Sequence, residues 1–428
     1  MTIRILAAGD VHIGRVPTGL PADLQRDATQ YGPLAALDRI VDLAIRDHAD
    51  AVLFAGDLVD DTEDVLEAYA KLRESLLRLA EAGIPTLAVA GNHDVKVLPQ
   101  LAAHLDGQLQ VIGAGGEWET KEIEGRDGTK ALVAGWSFPL EWARGSPLSG
   151  FPHLDPGGRA VLGLLHCDVG GQGRYAAVAR SELEASPVDA WLLGHVHKPD
   201  PLADQHRPMG YLGAVTALDP SDLGARGPWW IEVDGPGSAR ARQVPLAPLR
   251  FEAWPVDVSG RPFHDEDDLV SWLTRAVDEA ARRFGEAAQV DVAVGLRVRL
   301  EGIHEARRAI ELAVKRVGAW DGTTREGCAQ VFIERVDIRV LPWADLEDLA
   351  LDGGPLGLLA RKILLLQGHG EAEERSKLIS RVRQHLEHEG LDLRGEEELQ
   401  GEEELVTALA EAATRALAAL IAQRESGE

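Results

Sequence analysis

Short apolar runs that alternate with helical spacing constrain the first part of this chain more than any other feature. The runs at 3–7, 51–55 and 86–90 have the length of buried strands, and apolar residues recur at helical intervals over 37–45 and 64–82. Strands that alternate with helices across short links predict a parallel, doubly wound sheet. In such sheets the ligand site lies beyond the carboxyl ends of the strands.

Polar residues of metal-binding type follow these runs directly. Further apolar runs at 130–136, 160–165 and 190–193 predict more strands, and the last two also end in such residues. Gly194 then removes a side chain before two histidines, which would let the backbone approach a ligand. Histidines at i and i+2 on a strand end would point to the same side. The predicted metal ligands are Asp10, His12, Asp57, Asn92, His166, His195 and His197.

This set of donors matches a centre for two divalent cations. One carboxylate must bridge them, and Asp57 is the candidate because its strand is central in the predicted sheet. Mixed imidazole and carboxylate ligands suit Mn, Fe or Zn better than Mg or Ca, and Mn is our leading choice. No thiolate is in the set, which disfavours a structural zinc site. Two such cations are suited to in-line displacement at phosphorus.

A catalytic role is predicted for His93. It directly follows Asn92 and therefore points elsewhere, so it would stabilise the transition state or protonate the leaving oxygen. Asp94 would fix its tautomer and keep it charged. The alternative is a structural histidine that only makes hydrogen bonds within its own loop. Helix capping, rather than metal binding, is predicted for Asp60, Asp61 and Asp64.

The length of 428 residues predicts two or three domains. We place the first at 1–250, closed by a hairpin of 210–215 and 229–234. A small α/β capping domain follows at 251–342, and 343–428 forms a helical C-terminal region. The last helix, at about 403–423, could pack on its own domain or present a face to a partner. A solvated sheet face, or alternatively a surface for the DNA backbone, is predicted for Arg297, Arg299, Arg335 and Arg339.

The formal net charge of −26 argues against broad adhesion to polyanions. It does not exclude a nuclease, because bound metals can supply positive charge locally. No run of 18 or more apolar residues is present, so no transmembrane helix is predicted. The N-terminus lacks the pattern of a signal peptide, and we expect a cytoplasmic protein.

Five motifs in order resemble the calcineurin-like metallophosphoesterase superfamily over about residues 1–250. They are Asp10-Val-His12, Gly56-Asp57, Gly91-Asn-His-Asp94, the single His166 and Gly194-His-Val-His197. The resemblance implies an α/β fold with a β-sandwich core flanked by helices, to which the capping domain and helical tail are added. Within the superfamily the chain is similar to the SbcD-like DNA-repair nucleases. It is similar to the YhaO-like subgroup in particular, through Gly163-Leu-Leu-His166 with Tyr175 and through Trp191-Leu-Leu-Gly-His-Val-His-Lys198.

By this resemblance one metal would be held by Asp10, His12, Asp57 and His197. The other would be held by Asp57, Asn92, His166 and His195, with His93 acting on the leaving group. The expected partners are DNA, an SMC-like coiled-coil ATPase of the SbcC type, and a second copy in a homodimer. The segment Ala214–Asp222 departs from the polar, basic stretch usual in that branch.

Three functions compete at this point. The leading hypothesis is a Mn-dependent DNA nuclease subunit, exonuclease or endonuclease, acting in DNA repair through two-metal hydrolysis of phosphodiesters. The first rival is a small-molecule or cyclic-nucleotide phosphodiesterase on the same site, disfavoured because a small substrate needs neither cap nor tail. The second is a scaffold subunit with a vestigial site, disfavoured because all seven ligand positions are filled.

Overall fold

A computed structural model gives the fold of the chain. It describes residues 2–60, 65–105, 107–171, 173–261, 263, 266–288, 290–317, 323–388 and 402–426. Asp61 and Asp64, for which helix capping was predicted, lie outside these ranges. Contacts between residues divide the chain into two compact units. The first comprises 1–253, 278–297 and 321–334, and the second comprises 254–277, 298–320 and 335–428.

Two sheets build the core of the first unit. A six-stranded sheet has the order β13-β12-β1-β2-β3-β4, in which β1 to β4 are parallel and β12 and β13 are antiparallel. Its strands are β1 Ile3–Ala8, β2 Ala51–Ala55, β3 Thr86–Val89, β4 Gln110–Val111, β12 Trp229–Gly235 and β13 Ser238–Gln243. The three N-terminal strands confirm the prediction from the apolar runs.

A five-stranded sheet forms the second layer, in the order β11-β10-β7-β6-β5. The strands are β5 Glu119–Glu124, β6 Lys130–Trp136, β7 Ala160–His166, β10 Ala190–Gly194 and β11 Met209–Tyr211. Only β5 is antiparallel to its neighbour. A separate parallel pair, β8 Asp168–Val169 and β9 Ala177–Val178, lies between β7 and β10 in the chain.

The two sheets pack face to face around a core of aliphatic side chains. Ile5 and Leu53 from the first sheet and Leu162 and Leu192 from the second are fully buried there. The opposite face of the six-stranded sheet carries Leu6, Val52 and Phe54, which are buried together with apolar residues of the helices. The sandwich expected from the resemblance is therefore confirmed. The doubly wound sheet is wrong, because a second sheet covers the face where helices were expected.

Helices and short turns of helix complete the first unit. Leu37, Ile40, Val41 and Ala44 of α2 are buried, as their helical spacing predicted. The elements are α1 Ala22–Gln25, α2 Pro33–Arg46, α3 Val65–Glu81, α4 Leu98–Ala103 and α5 Arg180–Ala185, with 3-10 turns at Ala28–Tyr31, Pro147–Gly150 and Leu202–Asp204.

The predicted hairpin of 210–215 and 229–234 is wrong. Residues Met209–Tyr211 join the five-stranded sheet beside β10, whereas β12 lies in the other sheet. The hairpin is instead formed by β12 and β13, which pair from Trp229 opposite Gln243 to Gly235 opposite Ser238. A sequence that alternates in polarity does not state which sheet a strand joins, since both sheets share one core.

A further four-stranded sheet has the order β14-β15-β17-β16. Its strands are β14 Leu249–Asp257, β15 Val292–His304, β16 Thr323–Glu326 and β17 Ala329–Pro342, and its helices are α6 Glu266–Ala287 and α7 Arg307–Val317. Carboxylates pair with three of the arginines singled out in the sequence: Arg297 with Glu334 at 2.9 Å, Arg299 with Glu301 at 3.5 Å and Arg335 with Asp337 at 3.0 Å. These pairs favour the solvated sheet face over a phosphate-binding surface.

The second unit ends in helices α8 Leu346–Leu349, α9 Pro355–Leu366, α10 Ala372–His388 and α11 Glu402–Ser426. Of the two alternatives for the last helix, the structure shows packing on its own unit. Leu405 and Val406 are buried with Ile379 of α10, and Leu417 is buried with Ile363 of α9. By length and composition alone, Leu405–Arg424 would also suffice to cross a membrane, with a mean hydropathy of 1.6.

Candidate metal centre

Side chains from both sheets converge where the parallel strands end. The loops after β1, β2 and β3 bring Asp10 and His12, Asp57, and Asn92, whereas the ends of β7 and β10 bring His166, His195 and His197. Asp10, His12, Asp57 and His166 are almost completely buried. The structure thus places all seven sequence-predicted ligands around one crevice of the first unit.

One group of possible ligands consists of Asp10, His12 and His197, whose donor atoms lie within 4.8 Å of one another. The two imidazoles approach through their Nε2 atoms, at 3.2 Å. Nε2 of His12 also lies 3.8 Å from Oδ2 of Asp57. These distances suit nitrogen and oxygen donors that face a common cation.

A second group consists of Asp10, Asp57 and His166. Nε2 of His166 lies 3.3 Å from Oδ2 of Asp57 and 3.1 Å from Oδ1 of Asn92. The ring of His195 packs edge-on against that of His166, with centroids 5.2 Å apart. Asp57 belongs to the second group and lies 3.8 Å from His12 of the first, whereas Asp10 belongs to both groups. The division of ligands between two ions stays a prediction.

Left-handed backbone aims several of these side chains. Asp10, His12 and Asp57 have φ angles of 46°, 54° and 49°, and His195 has 106°. Residues other than glycine seldom adopt such angles, and the strain is found mostly at functional sites. The i, i+2 argument for His195 and His197 is therefore wrong in its reasoning. Strand β10 ends at Gly194, and a turn directs the two histidines to different neighbours, His166 and His12.

One buried polar atom fits a bound cation. Oδ2 of Asp10 is buried and has no hydrogen-bond partner among the described residues. A buried polar atom without a partner is costly, and a metal ion would supply one. Burial raises the pKa of Asp10 to about 6 and lowers the pKa of His12 to about 3. A neutral imidazole is the form that binds metals.

His166 and Asp57 each favour the charged form of the other. Burial opposes the charge on His166, but the charge of Asp57 and their hydrogen bond raise its pKa to about 9. Burial also disfavours the charge on Asp57, but His166 outweighs it and lowers the pKa of that carboxyl. Nδ1 of His166 lies 3.0 Å from the carbonyl oxygen of Ala55, which leaves Nε2 toward the cluster. A cation and a proton would compete for Nε2, because ligand histidines must be neutral.

His93 lies beside the cluster with 44 % of its side chain exposed. Its ring is 5.1 Å from that of His12, and its backbone N–H donates to Oδ1 of Asp57 at 3.0 Å. Nδ1 of His93 lies 3.0 Å from Oδ1 of Asp60, whose Oδ2 is 3.0 Å from Nε of Arg15. The hydrogen bond with Asp60 raises the pKa of His93. A charged imidazole with a free Nε2 can donate a proton to a leaving oxygen.

The role predicted for Asp94 is wrong. Asp94 is fully buried and accepts hydrogen bonds from the backbone N–H groups of Gly91 at 2.7 Å and Leu58 at 2.7 Å. It therefore holds the β2 and β3 loops together, while Asp60 orients His93. The sequence reading assigned Asp60 to helix capping. Asp60 follows Asp57 by three residues and therefore lies in the same loop. That spacing was the feature of the sequence that could have indicated a place for Asp60 beside the ligands.

Asp222 and Arg226 were also missed. The guanidinium of Arg226, only 2 % exposed, lies 3.2 Å from Oδ1 of Asp222 and donates to the carbonyl oxygen of His197. Oδ1 of Asp222 is 3.7 Å from Nδ1 of His197. Asp222 is the last residue of the departing stretch Ala214–Asp222 and Arg226 follows it, and together they hold His197 toward the cluster.

Glycines permit the close approaches at this edge. A Cβ at Gly91 would lie 2.1 Å from Oδ1 of Asp57, and one at Gly194 would lie 2.0 Å from the carbonyl oxygen of Ala55. Gly194 was expected to let the backbone approach a ligand. It instead lets β10 approach β2, so it serves the contact between the two sheets.

Comparison with known families matches residues 3–199 to the family described as calcineurin-like phosphoesterase. This segment contains all seven of the clustered ligands and His93. Over this segment the chain is similar to the calcineurin-like phosphoesterase family. The two-sheet core of the first unit is the phosphoesterase fold, and its ligand cluster fits the dinuclear metal site of that family.

Curated relatives include two kinds of protein. The uncharacterized metallophosphoesterase YhaO of Bacillus subtilis is 28 % identical over 248 residues, covering 50 % of this chain and 56 % of its own. The DNA double-strand break repair protein Mre11 of Aeropyrum pernix is 29 % identical over 244 residues, covering 54 % and 58 %. Mre11 of Haloferax volcanii is 26 % identical and covers 74 % of this chain and 66 % of its own. The match thus spans a little over half the length of the first two relatives.

Solved structures with detectable similarity include TT1561 of Thermus thermophilus and the calcineurin-like phosphoesterase YfkN of Bacillus subtilis. The first is 15 % identical with a TM-score of 0.31 and covers 57 % of this chain and 99 % of its own. The second is 13 % identical with a TM-score of 0.34 and covers 65 % and 97 %.

Proposed function

We propose that this protein is a metal-dependent DNA nuclease subunit, of the SbcD-like branch, that hydrolyses phosphodiester bonds during DNA repair in the cytoplasm. The observation that carries the proposal is the ligand cluster with the half-exposed His93 at its rim. The similarity to proteins named for DNA double-strand break repair supports DNA as the substrate. The metal we propose is Mn, because the ligands mix imidazole nitrogen with carboxylate oxygen.

Two bound cations would activate a water molecule and neutralise charge on the phosphoryl oxygens. The residues that would hold them are the two groups around Asp10 and Asp57. His93 would donate its Nε2 proton to the leaving oxygen, while Asp60 keeps the imidazole charged and oriented. The products would be a nucleoside phosphate end and a free hydroxyl.

The first experiment compares substrates. Purified protein with Mn is incubated with labelled single-stranded DNA, labelled double-stranded DNA and bis-p-nitrophenyl phosphate. We expect the protein to hydrolyse the dye ester and at least one of the two forms of DNA. Dye release without DNA cleavage would favour the small-molecule phosphodiesterase. Bound metal with no hydrolysis of any substrate would favour a scaffold subunit.

The second experiment removes the proposed acid. His93→Ala should lower turnover on DNA by a factor of about 10² to 10⁴, because positioned proton transfer contributes that much. Metal content, measured by mass spectrometry, should stay at the wild-type level. His104→Ala, at an exposed histidine of α4's end outside the cluster, is the matched control. Loss of metal together with activity would contradict the role assigned to His93.

We also propose that the C-terminal helices bind an SMC-like coiled-coil ATPase, and that the protein forms a homodimer. Leu358 of α9 and Leu420 of α11 are exposed by 50 % and 43 %. Exposed apolar side chains on helices are suited to a helical partner. Co-expression with an SMC-like ATPase of the same organism tests this, and Leu358→Glu should abolish co-purification without changing dye-ester hydrolysis.

A further inference from the structure

Two loops of the first unit border the metal centre on the side of the five-stranded sheet. The chain leaves β6 through Phe138, which is buried with its ring 5.7 Å from that of His166. Beyond β8 it passes Tyr175, whose ring lies 5.2 Å from that of His195. Each loop therefore touches a predicted metal ligand, and whatever these loops bind would be next to the reacting phosphate.

Backbone hydrogen bonds fix the two loops to each other. The N–H of Ala143 donates to the carbonyl oxygen of Arg174 at 2.8 Å, and the N–H of Ala176 donates to that of Ala143 at 2.9 Å. Ala143 and Tyr175 form a parallel bridge. The backbones of residues 142–144 and 174–176 therefore run side by side. We call Leu140, Trp142, Arg144, Arg174 and Tyr175 the aromatic rim.

The aromatic rim exposes large apolar side chains beside a polar site. Leu140 is 57 % exposed, Trp142 is 47 % exposed and Tyr175 is 39 % exposed. Exposed apolar groups that cluster at a cleft usually mark a ligand surface.

The rim also carries positive charge in an acidic protein. Arg144 and Arg174 are exposed, and neither is ion-paired within the part of the chain that the structure describes. Most other arginines discussed above have carboxylate partners. Two unpaired guanidinium groups next to exposed rings are the combination that binds a nucleic acid strand, with phosphates on the cations and bases on the rings.

We propose that the aromatic rim binds unpaired DNA, with Trp142 stacking on a nucleobase and Arg144 and Arg174 contacting phosphates of the same strand. The inference rests on the proposed nuclease function and names its substrate as a single strand or a frayed end. Bases in an intact duplex present only their edges in the grooves. A ring at the rim can stack on a base only after that base has left its partner.

Trp142 is the residue to change, because the structure records no contact between its ring and a predicted ligand. Trp142→Ala should raise KM for a short oligothymidylate about tenfold, which is within the range for loss of one stacked base. Metal content by mass spectrometry and the midpoint of thermal unfolding should be unchanged, which shows that the variant is folded and holds metal. Trp142→Phe should restore most of the affinity. Trp343→Ala, at a tryptophan 52 % exposed in the second unit, is the matched control and should leave KM unchanged.

An abasic strand of the same length separates stacking from other effects. Wild type should bind the abasic strand about tenfold more weakly than the oligothymidylate, because the strand has no base to stack on Trp142. Trp142→Ala should bind both strands equally, because the stacking contact is already absent from the protein. Arg144→Gln and Arg174→Gln should each lower the salt dependence of binding, since each removes one phosphate contact.

Two results would contradict the proposal that the aromatic rim binds DNA and would leave the nuclease proposal standing. One is a Trp142→Ala variant with wild-type KM on oligothymidylate. The other is an equal loss of affinity for the normal and abasic strands, which would exclude stacking. Failure of the wild type to cleave any DNA while it hydrolyses the dye ester would overturn the nuclease function, and the rim's role with it.

Discussion

The two sheets of the first unit contribute differently to the same crevice. The six-stranded sheet supplies the carboxylates Asp10 and Asp57, whereas the five-stranded sheet supplies only histidines. However, the hydrogen bonds that orient these side chains join one sheet to the other. The N–H of His195 donates to Oδ1 of Asp10 at 2.8 Å, and Nδ1 of His166 lies 3.0 Å from the carbonyl oxygen of Ala55. Each sheet thus positions the other's ligands, and the site exists only when both are packed.

Among changes that test how the two sheets share the site, replacing the predicted bridging carboxylate should have the largest effect. Asp57→Asn keeps the shape of the side chain but removes the charge near both ligand groups. Because a metal acting as a Lewis acid is worth several kcal/mol in the transition state, we expect turnover to fall about a thousandfold. Metal content by mass spectrometry should fall in parallel. Asp204→Asn, at an exposed carboxylate, is the control, and normal metal content in Asp57→Asn would contradict a bridging role.

Asp60 and Asp94 offer a comparison within one sheet. Asp60→Asn should lower kcat about 10- to 100-fold with metal content unchanged, because it removes the charge that keeps His93 protonated and weakens the hydrogen bond that orients it. Asp94→Ala should instead lower the free energy of unfolding by about 1–3 kcal/mol, because it leaves buried N–H groups without an acceptor. Steady-state kinetics and denaturant titration measure the two effects. A reversed outcome would restore Asp94 as the partner of His93.

The close approach of β10 to β2 is tested at Gly194. Gly194→Ala would place a Cβ 2.0 Å from the carbonyl oxygen of Ala55, so the sheets must separate locally. Overpacking of this kind costs about 1–3 kcal/mol, and metal affinity should fall because ligands on the two sheets move apart. Gly150→Ala meets no atom within 4 Å and is the matched control. Unchanged stability and metal affinity in Gly194→Ala would show that the sheets are not coupled here.

The smallest effect is expected behind His197. Asp222→Asn weakens the support of its imidazole on the five-stranded side, 3.7 Å from Nδ1. Metal affinity should fall about tenfold, the lower range for groups that orient a ligand, and kcat at saturating metal should be unchanged. Isothermal titration calorimetry with the metal measures the affinity. A loss of kcat that excess metal does not restore would mean that Asp222 acts on the substrate instead.

The strand ends and the polar residues on them follow from the amino-acid sequence. Apolar runs followed by glycine and a polar residue predict β1, β2 and β3, because a buried strand must stop where its side chains become polar. The carboxyl ends of parallel strands share one edge, so the ligand types were predictable as a group. The chemistry of the donors then limited the metal and the reaction.

Tertiary structure alone decided how these residues meet. Whether Asp60 or Asp94 reaches His93 depends on the left-handed backbone at Asp57 and on the path of two loops, and neither follows from spacing. The same is true of the second layer, because an apolar strand face packs equally well on helices or on another sheet. Local pattern states which face of a strand is buried, but the partner of that face is chosen by packing between segments far apart in the chain.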